Sequence, residues 1–420
     1  MTPERLGLLW GFTVFAGAAA RLLAVITGFP GVVLLLLSGL LIGRSGLGLV
    51  EPLDLGQGLE TIVGLLVSLV LFDGGLNLRL PGDTLKATVL RISLIRLVVS
   101  LAAGLLAAHW LAGLGWSVAA VYSAIVLATG PTVVTPLVQQ IRLASPLGDV
   151  LEAEGLVLEP VGAVLALLLL ELLLGDLHGW RELAFGLFAR LGGGVAIGAI
   201  VGFALSECLR RLNPDPSIGI RLQLTLGFLF LLYGFCEWLL PESGLPASVA
   251  AGVVVGRGPA IQVNQLDKLI RELAQLAITM LFPLLAADVS WAELSPLGWG
   301  GVTCVLVLML IVRPVAVSLA TIGLPLDGRE RLFLGWLAPR GIVTAAVASL
   351  FSIRLEQAGV LGAGRLQGLV FLTILMTVGL QGLTAQPLAK ALGLLASEES
   401  NTKDLENAAK TVGVFSDSSK

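Results

Sequence analysis

Residues 147–174 read LGDVLEAEGLVLEPVGAVLALLLLELLL, a continuous apolar stretch with three glutamates in its first half and no strand-like alternation. As a helix it is about 42 Å long at 1.5 Å per residue, enough to cross a hydrocarbon core of about 30 Å. Only helices and closed barrels satisfy every backbone group in lipid, and unbroken runs rich in Leu, Ala, Val and Gly are not barrel strands. This stretch is a membrane helix, and it sets the class of the chain.

The rest of the sequence agrees. Of 420 residues, 56% are hydrophobic and only 13% charged, with a mean hydropathy of +0.94, far outside the soluble range. Apolar runs place thirteen membrane segments at 6–27, 30–42, 58–72, 85–111, 116–139, 147–174, 182–209, 218–240, 246–255, 266–286, 298–319, 332–350 and 366–383. The fold expected is all-α and polytopic, a transmembrane domain over 1–396 followed by a short polar cytoplasmic tail at 397–420. The small-residue stretch Ala16-Gly17-Ala18-Ala19-Ala20 resembles a signal-peptide cleavage region, but the apolar run continues to Thr27, so it is read as part of the first helix.

Several function classes are excluded. A net charge of -3 with no long Lys/Arg cluster argues against nucleic acid. Cys208, Cys236 and Cys304 are isolated in apolar runs and read as core residues; His109 and His178 lie near helix ends without partners in sequence. No metal-ligand spacing, nucleotide motif or nucleophile constellation stands at membrane depth, so neither a resident cofactor nor an enzyme is expected.

Basic residues in short loops set the orientation. Loops after odd-numbered segments, with the start of the tail, hold Arg79, Lys86, Arg142, Arg210, Arg211, Arg257, Lys268, Arg271, Arg329, Arg331 and Lys390, against Arg5, Arg44, Arg181, Arg354 and Arg365 opposite. The richer side is the cytoplasm. The C-terminus is then inside and, after thirteen crossings, the N-terminus outside.

The chain also reads as duplicated. Gly39-Leu40-Leu41-Ile42-Gly43-Arg44 matches Gly252-Val253-Val254-Val255-Gly256-Arg257 at an offset of 213, and Leu71-Phe72 matches Leu281-Phe282 at 210. Segments one to six (6–174) match eight to thirteen (218–383), with 182–209 as the linking helix. An odd number of crossings between the two starts makes the halves inverted.

Two corresponding segments carry breaks. Ala128-Thr129-Gly130-Pro131-Thr132 interrupts segment five and Ala338-Pro339-Arg340-Gly341 interrupts segment twelve. Proline removes an amide donor, so backbone carbonyls near Thr129 lose their intrahelical partners; free backbone at that depth is tolerated only inside protein or along a polar cavity. Paired breaks in two halves point to a transporter site. Arg340 sharpens this, because a central arginine costs roughly 2.5–3.5 kcal/mol and needs compensation.

Acids surround the breaks. Asp73 ends segment three, and segment six carries Glu152, Glu154 and Glu159. Glu152 and Glu159 are seven residues apart and share a face, Glu152 nearer the cytoplasmic end, while Glu154 is rotated away. Glu154 is expected to neutralise Arg340, leaving Glu159 near mid-membrane to face a cavity. A buried carboxylate favours its protonated form and a bound cation favours the ionised one, so proton and cation compete for the same oxygens. Glu159, Asp73 and a freed carbonyl at Thr129 are hard ligands fit for a monovalent cation.

These residues resemble the sodium/proton exchanger superfamily, specifically bacterial sodium/proton antiporters of the NhaP type. The resemblance is carried by Phe72-Asp73-Gly74-Gly75-Leu76, Ala128-Thr129-Gly130-Pro131, the stretch 152–162 and Pro339-Arg340-Gly341-Ile342-Val343. It implies thirteen helices in an inverted repeat, crossed broken helices five and twelve, a homodimer in the bacterial inner membrane, and elevator-like, electroneutral exchange of Na+ or Li+, with K+ as a third candidate, for protons. Glu159, Asp73 and Thr129 then bind cation and proton, while Arg340, Glu154, Gly130, Pro131, Thr132 and Pro339 organise the site.

Three departures from the family pattern stand out: Gly130 replaces an Asp, Leu158-Glu159 replaces Asn-Asp, and Gly155 replaces a Ser. In relatives that Asn helps hold the arginine, so here Glu154 alone is expected to hold Arg340. A cation-coupled symporter of a small anion, using Arg340 as anion ligand, and a membrane sensor without transport are the competing readings.

Overall fold

The computed structural model describes residues 3–52, 57–78, 83–143, 146–212, 217–258, 266–324 and 326–395. The tail at 397–420 and Arg79 of the orientation count lie outside the described residues. The described residues form fifteen helices: α1 (Pro3–Thr27), α2 (Gly31–Ile42), α3 (Gln57–Asn77), α4 (Asp83–Trp110), α5 (Trp116–Ile125), α6 (Pro131–Ile141), α7 (Leu147–Leu174), α8 (Trp180–Arg211), α9 (Ile218–Leu239), α10 (Gly244–Gly256), α11 (Leu266–Ala286), α12 (Trp291–Ala320), α13 (Gly328–Trp336), α14 (Ile342–Gln357) and α15 (Ala363–Leu392). Nine of these are long and apolar enough to cross a membrane, and α2, α5 and α10 are shorter apolar helices.

Local sequence explains the boundaries. Pro30, at φ -58°, precedes the first residue of α2, and Gly175, at φ 87°, ends α7 in the left-handed conformation that a glycine adopts without strain. Asp327 and Glu330 form a reciprocal capping box at the start of α13. Segments expected at 298–319 and 366–383 are longer helices, each with an internal π turn, at Leu308–Val312 in α12 and Thr377–Gln381 in α15. Such turns recur at functional sites, and nothing in the apolar pattern marks them.

The helices pack as two bundles. In one, α10 lies between α3 and α8, while α1, α2 and α11 pack on each other and α11 also packs on α3. In the other, α7 is surrounded by α4, α5 and α6, with α12, α13, α14 and α15 completing the group. Glycines allow the first bundle to close. Gly194, Gly198 and Gly202, one turn apart on α8, lie against Ser243, Ala247 and Ala251, and Gly252 lies against the Phe72 carbonyl of α3. Gly252→Val is therefore expected to push α3 from α10 and to destabilise by about 1–3 kcal/mol, the usual range for overpacking. A drop in the thermal midpoint of detergent-solubilised protein checks it.

Candidate functional site

The non-helical stretches 126–130, between α5 and α6, and 337–341, between α13 and α14, meet inside the second bundle. The Gly130 amide donates to the Pro339 carbonyl at 3.3 Å, and the Ile342 amide donates to Thr132 Oγ1 at 3.5 Å. Gly130 and Gly341 touch backbone to backbone, leaving no room for a Cβ on either. Pro131 opens α6, where a missing amide hydrogen breaks no helical bond.

The backbone groups released by these interruptions find side-chain partners. Arg340 Nη1 donates to the carbonyls of Ala128 at 3.1 Å and Leu127 at 3.3 Å. Arg96 of α4 donates through Nη2 to the Leu127 carbonyl at 3.1 Å and through Nη1 to Thr129 Oγ1 at 2.9 Å. On the second stretch, Arg313 Nη2 donates to the Leu337 carbonyl at 3.3 Å, the Ala338 amide donates to Gln381 Oε1 at 3.1 Å, and the Arg340 amide donates to Thr377 Oγ1 at 3.3 Å. Gln381 and Thr377 belong to the π turn of α15, and Arg313 follows that of α12.

Glu154 does not pair with Arg340 as expected. Arg313 takes both its oxygens, at 2.5 and 2.9 Å, and Arg96 donates to Oε1 at 2.8 Å. The reason is geometric: α4 and α12 present guanidiniums on the side of α7 where Glu154 points, while Arg340 reaches across to the first stretch. Arg96 and Arg313 are 1% and 3% exposed and were missing from the expected site. Their signal was present, since each is an arginine inside an apolar run, as Arg340 is.

Glu159 sits on α7 with 0% exposure. Gly155, one turn earlier, lies against the Thr129 carbonyl and Pro131, and a Cβ on Gly341 would stand 3.0 Å from Glu159 Oε1. Neither carboxylate oxygen has a hydrogen-bond partner among the described residues. Asp73 is less free. It is 9% exposed, and Asn77 Nδ2 donates to its Oδ1 at 2.8 Å while Arg271 of α11 donates to Asn77 Oδ1. Its neighbour Gly74 lies against Leu156 of α7. The fold thus gathers Glu159, Gly130, Thr132 and Gly341 at one point, with Asp73 set against α7 nearby. The Thr129 hydroxyl accepts from Arg96, and its backbone carbonyl lies against Gly155 of α7. Among the described residues no group of three or more His, Cys, Asp or Glu is placed to hold a metal ion.

A cavity of about 350 Å³ lies between α3, α9 and α14. Glu60, Glu237, Glu242 and Asp288 line it, and it extends to Val343, two residues beyond Gly341. Glu242 lies in the connection between α9 and α10 with φ 65°. Burial, with Glu237 and Glu60 nearby, pushes its carboxyl up from 4.5 to about 8. The folded protein then binds this proton more tightly than the unfolded chain, so the contribution to stability is present at low pH and is lost as pH rises from about 4.5 through about 8. Thermal midpoints are expected to fall across that window, and Glu242→Gln is expected to flatten the fall.

A family model described as sodium/hydrogen exchanger, transmembrane, matches residues 11–391. The chain belongs to the sodium/hydrogen exchanger family. It is 28% identical over 411 residues to the Na(+)/H(+) antiporter NhaH of Halobacillus dabanensis, with 92% of this chain and 97% of that protein covered. It is 25% identical to the K(+)/H(+) antiporter NhaP of Alkalimonas amylolytica, covering 94% of this chain and 68% of that one. Among solved structures, the sodium proton antiporter MjNhaP1 from Methanocaldococcus jannaschii superposes with a TM-score of 0.81 at 24% identity, over 94% of this chain and 99% of that chain. Membership in the exchanger family makes the chain a membrane transporter and not an enzyme. Its fold is that of the archaeal antiporter.

Proposed function

We propose that the protein is a secondary antiporter that exchanges a monovalent cation for protons, the two competing for the carboxylate of Glu159. One observation carries this reading: a fully buried carboxylate with both oxygens unbonded stands where two interrupted helices meet. An ionised carboxylate in that setting is costly without a counter-charge, and either a proton or a small cation supplies one. Thr132 Oγ1 and the Thr129 carbonyl are the nearby hard oxygens, and Asp73 is the second acid on the path.

The rest of the mechanism extends from that competition. The paired helices α5/α6 and α13/α14 each act as one interrupted membrane segment, giving thirteen crossings in two inverted halves over about 6–174 and 218–383. The bundle holding Glu159 moves against the bundle holding Asp73, carrying the site between the two faces. One cation against one proton at one carboxylate makes the exchange electroneutral. The protein acts as a homodimer in the bacterial inner membrane, with its N-terminus outside and C-terminus inside. The Na(+)/H(+) exchange of NhaH and the K(+)/H(+) exchange of NhaP support sodium and potassium as the first candidates.

Arg340 holds two carbonyls through Nη1, while its Nε has no hydrogen-bond partner among the described residues, so flux and not geometry separates antiport from anion symport. The test is flux. In proteoliposomes with a preset pH gradient, added Na+, Li+ or K+ should dissipate the gradient, without change when the membrane potential is clamped. No response to any of the three cations rejects antiport.

A further inference from the structure

We infer that Arg96 is a positioning residue of the exchange site: its guanidinium fixes the 127–129 backbone that faces the transported cation. The inference rests on the antiport reading above. Arg96 stands on α4 and, among the described residues, bonds no oxygen of Glu159 or Asp73 but three other acceptors: Glu154 Oε1, Thr129 Oγ1 and the Leu127 carbonyl.

Those acceptors belong to two different elements. Glu154 is part of the continuous helix α7 that also carries Glu159, whereas Leu127 and Thr129 lie in the stretch beyond α5, where the Leu127 amide still bonds the Ala124 carbonyl at 3.3 Å but the regular helical ladder has ended. A guanidinium is a planar fork whose donors leave in set directions, so one such group bonded to both elements ties the position of the stretch to that of the Glu159 helix. Arg340 also bonds the Leu127 and Ala128 carbonyls, but it belongs to the other stretch and cannot refer them to α7. Among the described residues, no other side chain is hydrogen-bonded to both Glu154 and the first stretch. Thr129 is the residue whose carbonyl abuts Gly155, one turn from Glu159. An error in the 127–129 backbone is therefore an error in the oxygens next to the exchanging carboxylate.

Charge adds a second consequence. Arg96 and Arg313 both bond Glu154, so two guanidiniums share one carboxylate. That positive surplus stands beside the Glu159 helix and opposes a bound cation. Arg96 thus acts on geometry through its fork and on the proton–cation competition through its charge.

Arg96→Lys separates the two. Lysine keeps the charge and can still reach Glu154, but a single ammonium cannot hold the fork's divergent acceptors. The KM for the cation should rise about tenfold, the worth of one hydrogen bond to a charged donor, with kcat within about twofold and the pH midpoint of exchange unchanged. Arg96→Gln removes the charge as well as the fork and should move that midpoint, because the positive surplus that opposes the cation is then gone. Thr129→Val, the milder change, should raise KM in the wild-type background and add nothing in the Arg96→Lys background, because both remove the same link. Wild-type KM and pH midpoint in Arg96→Lys, with only a lower thermal midpoint, overturn the inference while leaving antiport standing. Additive effects of Thr129→Val and Arg96→Lys overturn it too, and keep it testable if Arg96→Gln does not fold. Absence of exchange in the wild type overturns the antiport reading itself, and this inference with it.

Discussion

Glu159→Gln is expected to abolish cation-driven proton movement while leaving the protein folded. Glutamine is close to glutamate in shape, but it neither releases a proton near neutral pH nor offers a cation two charged oxygens. Both partners in the exchange are lost at once, so the effect should exceed about a hundredfold, more than any single ligand oxygen contributes. Stability should move the other way or not at all. Neither oxygen of Glu159 has a hydrogen-bond partner among the described residues, so the substitution breaks no bond and removes the cost of a buried ionisable group. A variant that folds with an unchanged or higher thermal midpoint and shows no flux has the expected signature. Full exchange in this variant would sink the assignment of Glu159 as the shared site.

Glu154→Gln should have the opposite profile, a large loss of stability. Glu154 compensates two buried guanidiniums, with three short bonds from Arg313 and Arg96. Neutralising it leaves both charges facing each other in a low-dielectric interior, and breaking one side of a buried pair typically costs about 3–5 kcal/mol. Arg313→Met should cost a similar amount, since it leaves Glu154 with Arg96 alone and strips the donors from Leu334 and Leu337. The triple change Arg96→Met, Glu154→Leu and Arg313→Met should recover part of the loss, because apolar replacement of a whole buried ionic cluster is often close to neutral. Thermal unfolding of the four proteins in one detergent checks this. A pair of single variants as stable as the wild type would show that the cluster is not what holds α4, α7 and α12 together.

The two variants sit five residues apart on one helix, and their contrast follows from which way each side chain points. Seven residues bring Glu152 and Glu159 to one face, and Glu154 falls elsewhere; that much is periodicity. The identity of Glu154's partner is not. Arg340 stands out between Pro339 and Gly341; Arg96 and Arg313 are equally costly inside their apolar runs, but nothing along the chain says which acid each of the three will meet.

What the sequence by itself determined are the properties that act along the chain. Apolar run length is matched to the bilayer, so the helices at 147–174, 218–239 and 266–286 are readable to within a residue. Proline and glycine act within one turn, so both non-helical stretches, 126–130 and 337–341, are marked by Gly130-Pro131 and Pro339-Arg340-Gly341. A glutamate thirteen residues into an apolar helix is deep by arithmetic. What only the tertiary structure decided is how groups far apart in sequence satisfy one another. That the two stretches bond to each other, that Arg340 serves carbonyls and not Glu154, that π turns in α12 and α15 deliver Arg313, Thr377 and Gln381, and that Asp73 is held through Asn77 and Arg271 all depend on helix rotation and packing. Burial makes each partner obligatory, because an unpaired charge or backbone group inside the membrane is expensive. It does not say which of several candidates will be within reach, and that choice is made by the angle at which the helices cross.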